Sequence, residues 1–240
     1  MIKISDLSKT YYDNNKEIKI LNNINLIINK NIFYTIVGSS GCGKSTLLNI
    51  ISGLDKNYNG NIYYNNNLTI GYMFQKDLLL PWLTIKDNCS LGLKLQNKKD
   101  DELVLYYLKK YNLLDYKDKY PNELSGGMRQ RISLIRTLIL KPDILLLDEP
   151  FSQLDYITKL KIEDDIYNII KEEKITTIMV THDISEAISL ADKVIVLTNK
   201  PATIKYIYDI KLINKTNPKD NRYDPNFKYY FDKIWNDLNE

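Results

Sequence analysis

The sequence predicts an α/β fold with a parallel sheet covered by helices on both faces. Three observations predict it. The runs "DILLLDEP", "ITTIMV" and "KVIVLT" are apolar without alternation, as strands buried on both faces must be. Segments patterned as helices separate the candidate strands. Five of the nine glycines (Gly38, Gly41, Gly43, Gly126, Gly127) also crowd into two short stretches, which marks loops needing backbone freedom or close approach to a ligand.

The opening "MIKISDLSKTYY" reads as a strand of mixed polarity with no apolar signal core. "NINLII" and "NIFYTIV" follow as strands, then a glycine loop and the helical "KSTLLNIISGL". "NIYYNN" and "TIGYMF" are two further short strands. Residues 85–114 are expected to be helical, because "DDELVLYYLKKY" opens on a capping acid and spaces Leu103, Tyr107, Leu108 and Tyr111 along one face. "GGMRQRISLIRTLIL" places Ile132, Ile135, Leu138 and Ile139 at helical spacing and is stopped by Pro142. A mostly helical insert across roughly 76–140 therefore interrupts a core running from 1 to 204. Residues 205–240 are too short for a regulatory domain and are expected to pack on that core, with "NKTNPKDNRYDPN" as a loop.

Composition narrows the function. A chain of 240 residues with 44% hydrophobic and 26% charged residues can bury a substantial core. A net charge of +3, with lysines interspersed among acids, argues against nucleic acid as a partner. No window approaches 18 uninterrupted apolar residues, so no membrane span is expected. Cys42 and Cys89 lack metal-ligand or disulfide spacing, which suits a reducing compartment. The 19 tyrosines spread through every segment and are read as background bias.

"GSSGCGKST" (38–46) fits G-x-x-x-x-G-K-[ST] in the context that the chemistry needs, a strand before and a helix after. Gly38, Ser39, Ser40, Gly41, Cys42 and Gly43 can wrap a phosphate with backbone amides at a helix N-terminus. Lys44 would hold the outer phosphates, Ser45 would ligate Mg²⁺, and Thr46 would cap nearby. Cys42 reads as a small residue filling the loop. Average residue usage gives this pattern by chance in about one chain in a hundred of this length. The core is thus expected to bind a nucleotide with Mg²⁺. "ILLLDEP" then ends a strand on two acids at the edge facing the phosphate crevice. Asp148 there is placed to hold Mg²⁺ through water and Glu149 to take a proton from an attacking water. The only histidine, His182, closes the apolar "ITTIMVTHD". Alone it reads as surface filler.

"NELSGGMRQR" (122–131) separates this chain from P-loop kinases and GTPases, which have no second Ser-Gly-Gly helix start. No Asn-Lys-x-Asp guanine reader is present, since Asn199-Lys200 runs into Pro201-Ala202. With "LSGGM" between the P-loop and "ILLLDEP", the chain resembles an ABC-type ATPase over essentially its full length. That resemblance implies a P-loop NTPase core of RecA-like type, binding ATP with Mg²⁺, and an antiparallel β subdomain beside it. It implies that Tyr11 stacks on adenine, with Tyr12 a rival, and that Gln75 senses Mg²⁺ and the attacking water. It also makes His182 the γ-phosphate switch and Asp155, ending "SQLD", a loop residue that meets a partner subunit. Ser125, Gly126, Gly127 and Met128 would close on the ATP of a second copy in a head-to-tail homodimer. Two helix N-termini then face one triphosphate, and the sandwich is favoured only while the γ-phosphate remains.

Lys44 and Ser125 lie 81 residues apart (125 − 44), leaving no room for a long coiled coil. The finer resemblance is to the ATPases of nitrate, sulfonate and taurine importers, through "FQKDLLLPWLTIKDNCSLGLKL", "DEPFSQLD", "THDISEAISLADKVIVLTNKPATI" and "DPNFKYYFDKIWNDL". Met128 departs from the glutamine of the wider superfamily and agrees with this subgroup. The resemblance implies a homodimer on the cytoplasmic face of the membrane, docked on a separate permease and served by an extracytoplasmic solute-binding protein. Leu78–Trp82 would grip the permease, ordinary core packing being the other reading of Pro81-Trp82. A non-transport ABC module in a cytosolic complex is the alternative. Two departures stand out: "NKNIFYT" lacks the usual Gly-Glu, and Gly60–Gln75 is shorter than in relatives.

Overall fold

The computed structural model describes residues 2–13, 16–65 and 68–239. Strands β1 (Ile2–Asp13), β2 (Lys16–Ile28) and β4 (Asn59–Tyr64) form an antiparallel sheet ordered β2-β1-β4. A second, six-stranded sheet holds β5 (Ile70–Met73), β6 (Ile144–Asp148), β7 (Thr176–Val180), β3 (Phe33–Val37), β8 (Lys193–Leu197) and β9 (Ile204–Asp209), in that order. Its first five strands are parallel, and β9 pairs antiparallel with β8.

The unbroken apolar runs follow from two covered faces. Along β6, Leu145 and Leu147 enter one core cluster while Ile144 and Leu146 enter the other. On β8, Val194 and Val196 separate from Ile195 and Leu197 in the same way. Alternation of side chains across each strand puts one set under the antiparallel sheet and helix α1 (Lys44–Ile51), the other under the remaining helices. These are α2 (Ile85–Leu95), α3 (Asp101–Lys110), α4 (Gly126–Leu138), α5 (Tyr156–Glu173), α6 (Ile184–Leu190), α7 (Pro218–Asn221) and α8 (Phe227–Asn239).

The expected helix over 85–114 is broken in two. Asn97 turns into the left-handed region at φ 56°, and the Asp100 side chain restarts the chain by accepting the Leu103 amide at 2.9 Å. Helix α4 ends at Leu138, ahead of Pro142, with Lys141 at φ 50°. Where the usual Gly-Glu is missing, Asn31 takes φ 57°, a conformation asparagine tolerates.

Past residue 204 the chain enters the sheet as β9 and then crosses the helical face. The stretch expected as a loop carries the single helical turn α7, capped by Asn217, whose side chain accepts the Asp220 amide. Asn221 is buried and donates to the Ser189 carbonyl at 2.7 Å. Arg222 reaches the fully buried Glu163 at 2.6 Å; burial nonetheless pushes that carboxyl up to about 7. Ile234 of α8 is fully buried in the core.

Candidate nucleotide site

The chain reverses from β3 into α1 through residues 38–43. Gly43 sits at φ 120°, and a Cβ there would lie 2.7 Å from Ile20 and 2.9 Å from Leu21. Only glycine lets the loop pack this closely under β2. Cys42 is buried against Gly38, and burial pushes its thiol up, so it fills space as a small apolar group. Lys44 is buried too, its ammonium donating to the Gly38 and Ser39 carbonyls at 3.0 and 3.1 Å.

A cleft of ≈ 320 Å³ opens over this loop, lined by Ser40, Gly41, Gly43, Lys44, Ser45, Thr46, Gln75, Asp148 and Glu149. It lies at the carboxyl ends of parallel strands, where open α/β sheets bind ligands. Ser45 Oγ donates to Asp148 Oδ1 at 2.9 Å, and Tyr72 Oη to Asp148 Oδ2 at 3.3 Å. Burial pushes the Asp148 carboxyl up and Ser45 and Tyr72 oppose that rise, which leaves a carboxylate short of positive charge. Ser45, Asp148 and Gln75 offer hard oxygen ligands, a donor set that fits Mg²⁺ completed by phosphate and water.

Glu149 has φ 45°, unusual for a non-glycine residue, and its amide donates to the Val180 carbonyl at 3.0 Å. That bond ties the end of β6 to the end of β7 and turns the carboxylate into the cleft. Its Oε2 accepts from Gln75 Nε2 at 3.3 Å and lies 3.3 Å from His182 Nδ1. His182 is 61% exposed, while Asp183 beside it is fixed. The Asp183 carboxylate caps α6 through the Ser185 and Glu186 amides and accepts Lys159 at 2.7 Å. Gln75, Glu149 and His182, spread over 108 residues of sequence (182 − 75 + 1), thus converge on one carboxylate.

Other predicted residues stay apart. Ser125, Gly126, Gly127, Met128 and Asp155 do not line the cleft. Ser125 is exposed and caps α4 through the Met128 amide, with Gly127 packed on Ile162 and Thr158. Asp155 caps α5 through the Thr158 amide. Ser39 turns away to donate to Asn199 at 2.6 Å. Tyr11 and Tyr12 point to opposite faces of β1, and Tyr11 packs its ring on the Lys9 ammonium. Sequence reasoning missed Tyr72 and Lys159. Tyr72 reaches Asp148 because β5 pairs Tyr72 with Leu146, a register invisible in one chain. Lys159, four residues after Asp155, carried a weak signal as the first-turn cation facing the helix behind His182.

A parallel sheet, a phosphate-wrapping loop at a helix start and a strand-end acid pair together define a P-loop ATPase. The family described as "ABC transporter" matches residues 21–152. The chain is 40% identical to the uncharacterized ABC transporter ATP-binding protein YtlC of Bacillus subtilis, over 99% of this chain and 95% of that protein. It is 38% identical to the aliphatic sulfonates import ATP-binding protein SsuB of Bacillus cereus, over 88% of this chain and 86% of that one. Among solved structures it resembles the dimeric, post-hydrolysis ATP-binding cassette MJ0796 bound to ADP and Pi, with TM-score 0.76, 32% identity, and 88% and 99% of the two chains covered. The chain belongs to the ABC transporter family. It is an ATP-binding ATPase subunit of a transporter.

Proposed function

We propose that this subunit powers an importer: as a homodimer on the cytoplasmic face of the membrane, it docks on a separate permease and is served by an extracytoplasmic binding protein. The relatives named for aliphatic sulfonate import support that direction, and the solute is assigned as small and sulfonate-, taurine- or nitrate-like or related. The observation that carries the homodimer is the separation of "LSGGM" from the cleft. An exposed helix start with no ligand in its own chain suits the ATP of a second copy, and the likeness to a dimeric cassette supports this.

In this reading Gly38–Thr46 cradle the triphosphate and Lys44 moves from its carbonyls to the outer phosphates. Ser45, Asp148 and Gln75 would hold Mg²⁺, which neutralises phosphate charge when bound. Glu149 takes the proton of the attacking water, and His182 and Gln75 orient its carboxylate and that water. Tyr11 is the adenine-stacking residue, and Asp155 meets the partner subunit.

Permease docking is assigned to the segment after Gln75. Leu79 is buried, but the Trp82 side chain is 70% exposed, out of the core, with Leu78 exposed beside it. Arg136 braces this segment by donating to the Asp77 and Leu78 carbonyls at 2.8 Å each. Trp82→Asp is expected to abolish recovery with membranes when the cognate permease is co-expressed, while the isolated subunit still hydrolyses ATP. Undiminished membrane recovery would remove this surface from docking. A wholly soluble complex of the unaltered protein with cytosolic partners would favour the non-transport reading.

A further inference from the structure

Two lysines are buried among the described residues, Lys44 in the phosphate loop and Lys9 in β1 at 3% exposure. The phosphate chemistry accounts for Lys44 and leaves Lys9 unexplained. Burying an ammonium is costly unless partners replace its water, and an apolar side chain would pack at least as well. Lys9 has three partners. Asp55 Oδ2 lies 2.8 Å away, the Asn57 carbonyl accepts at 2.5 Å, and the Tyr11 ring covers the ammonium with its centroid at 4.7 Å.

The same carboxylate accepts from the Tyr11 phenol at 3.3 Å. Burial would raise Asp55, yet the Lys9 hydrogen bond holds it below the usual carboxylate range, ionised. Tyr11 is therefore held at one face by a cation and at its tip by an anion. It remains 42% exposed, so Lys9 and Asp55 do not enclose the ring.

This grip is tied to the phosphate loop on two sides. Asp55 follows α1, whose first residue is Lys44, and its amide donates back to the Asn49 carbonyl. Across the hairpin, Lys9 pairs with Leu21 and Tyr11 with Ile18, while Ile20 and Leu21 back onto Gly43. We infer that Lys9 and Asp55 are positioning residues for nucleotide binding, which hold Tyr11 as a fixed platform that stacks on the adenine ring. The inference rests on the assignment of Tyr11 as the stacking residue. A ring fixed in advance spares the nucleotide the cost of ordering it. A cation on one face of the ring draws electron density from the other, which strengthens stacking on an electron-rich purine.

Calorimetric titration of the full chain with ATP and with inorganic tripolyphosphate separates the base from the phosphates. Lys9→Met is expected to weaken ATP by about five- to tenfold and to leave tripolyphosphate within about twofold. Lys9→Arg is expected to retain ATP affinity, and Lys9→Met in a Tyr11→Leu background to cost nothing further. Equal losses for both ligands, or full additivity with Tyr11→Leu, would overturn the inference by making Lys9 a general support of the loop. Should Lys9→Met fail to fold, Asp55→Asn must show the same loss confined to ATP. If Tyr11→Leu weakens ATP while Lys9→Met does not, only the role of Lys9 falls. If Tyr11→Leu leaves ATP unchanged, the platform reading falls and takes the inference with it.

Discussion

Glu149→Gln is expected to cut steady-state ATP hydrolysis by about 10²- to 10⁴-fold while ATP still binds. The substitution keeps the shape and the contact to Gln75 but removes the one cleft-lining carboxylate that, among the described residues, accepts no hydroxyl donor. Asp148 cannot substitute for it, because its oxygens are engaged by Ser45 and Tyr72. With the phosphates uncleaved, the contact that favours the closed pair persists, and ATP-bound dimers are expected to accumulate on size exclusion. Hydrolysis at the unaltered rate would remove Glu149 from the role of base.

His182→Ala is expected to lower kcat by about 10²-fold and to change ATP affinity only a few-fold. The imidazole lies 3.3 Å from the Glu149 carboxylate, and its neighbour Asp183 is pinned by α6 and Lys159. An exposed imidazole within reach of that carboxylate suits a sensor of the γ-phosphate. Loss of affinity in proportion to kcat would instead make His182 a ground-state ligand. Unchanged turnover would return it to the filler reading.

What could be read from the sequence was local. Residues 38–46 announce their loop because a phosphate-wrapping turn needs glycines, lysine and serine within one turn of a helix start. The apolar runs of β6, β7 and β8 announce burial on both faces. What could not be read depends on contacts distant in sequence. The positive φ of Glu149 follows from its amide reaching Val180, and Tyr72 meets Asp148 only through strand register. The break at Asn97 was hidden because apolar spacing continues on either side of it. Trp82 could equally have been core until the fold left its side chain in solvent while sending Leu79 inward. Lys9, one of many lysines in the sequence, was distinguishable only by its burial.

In the proposed dimer one ATP is closed between two copies, by the phosphate loop of one and Ser125–Gly127 of the other. Lys44→Ala and Ser125→Arg are each expected to abolish hydrolysis when assayed alone. Mixing the two inactive proteins distinguishes a site shared between chains from one built by a single chain. A mixed pair holds one site with Lys44 and Ser125 both intact, contributed by different chains, so the mixture should recover about a quarter of normal ATPase activity. No recovery, in a mixture shown to contain mixed pairs, would confine each site to a single chain.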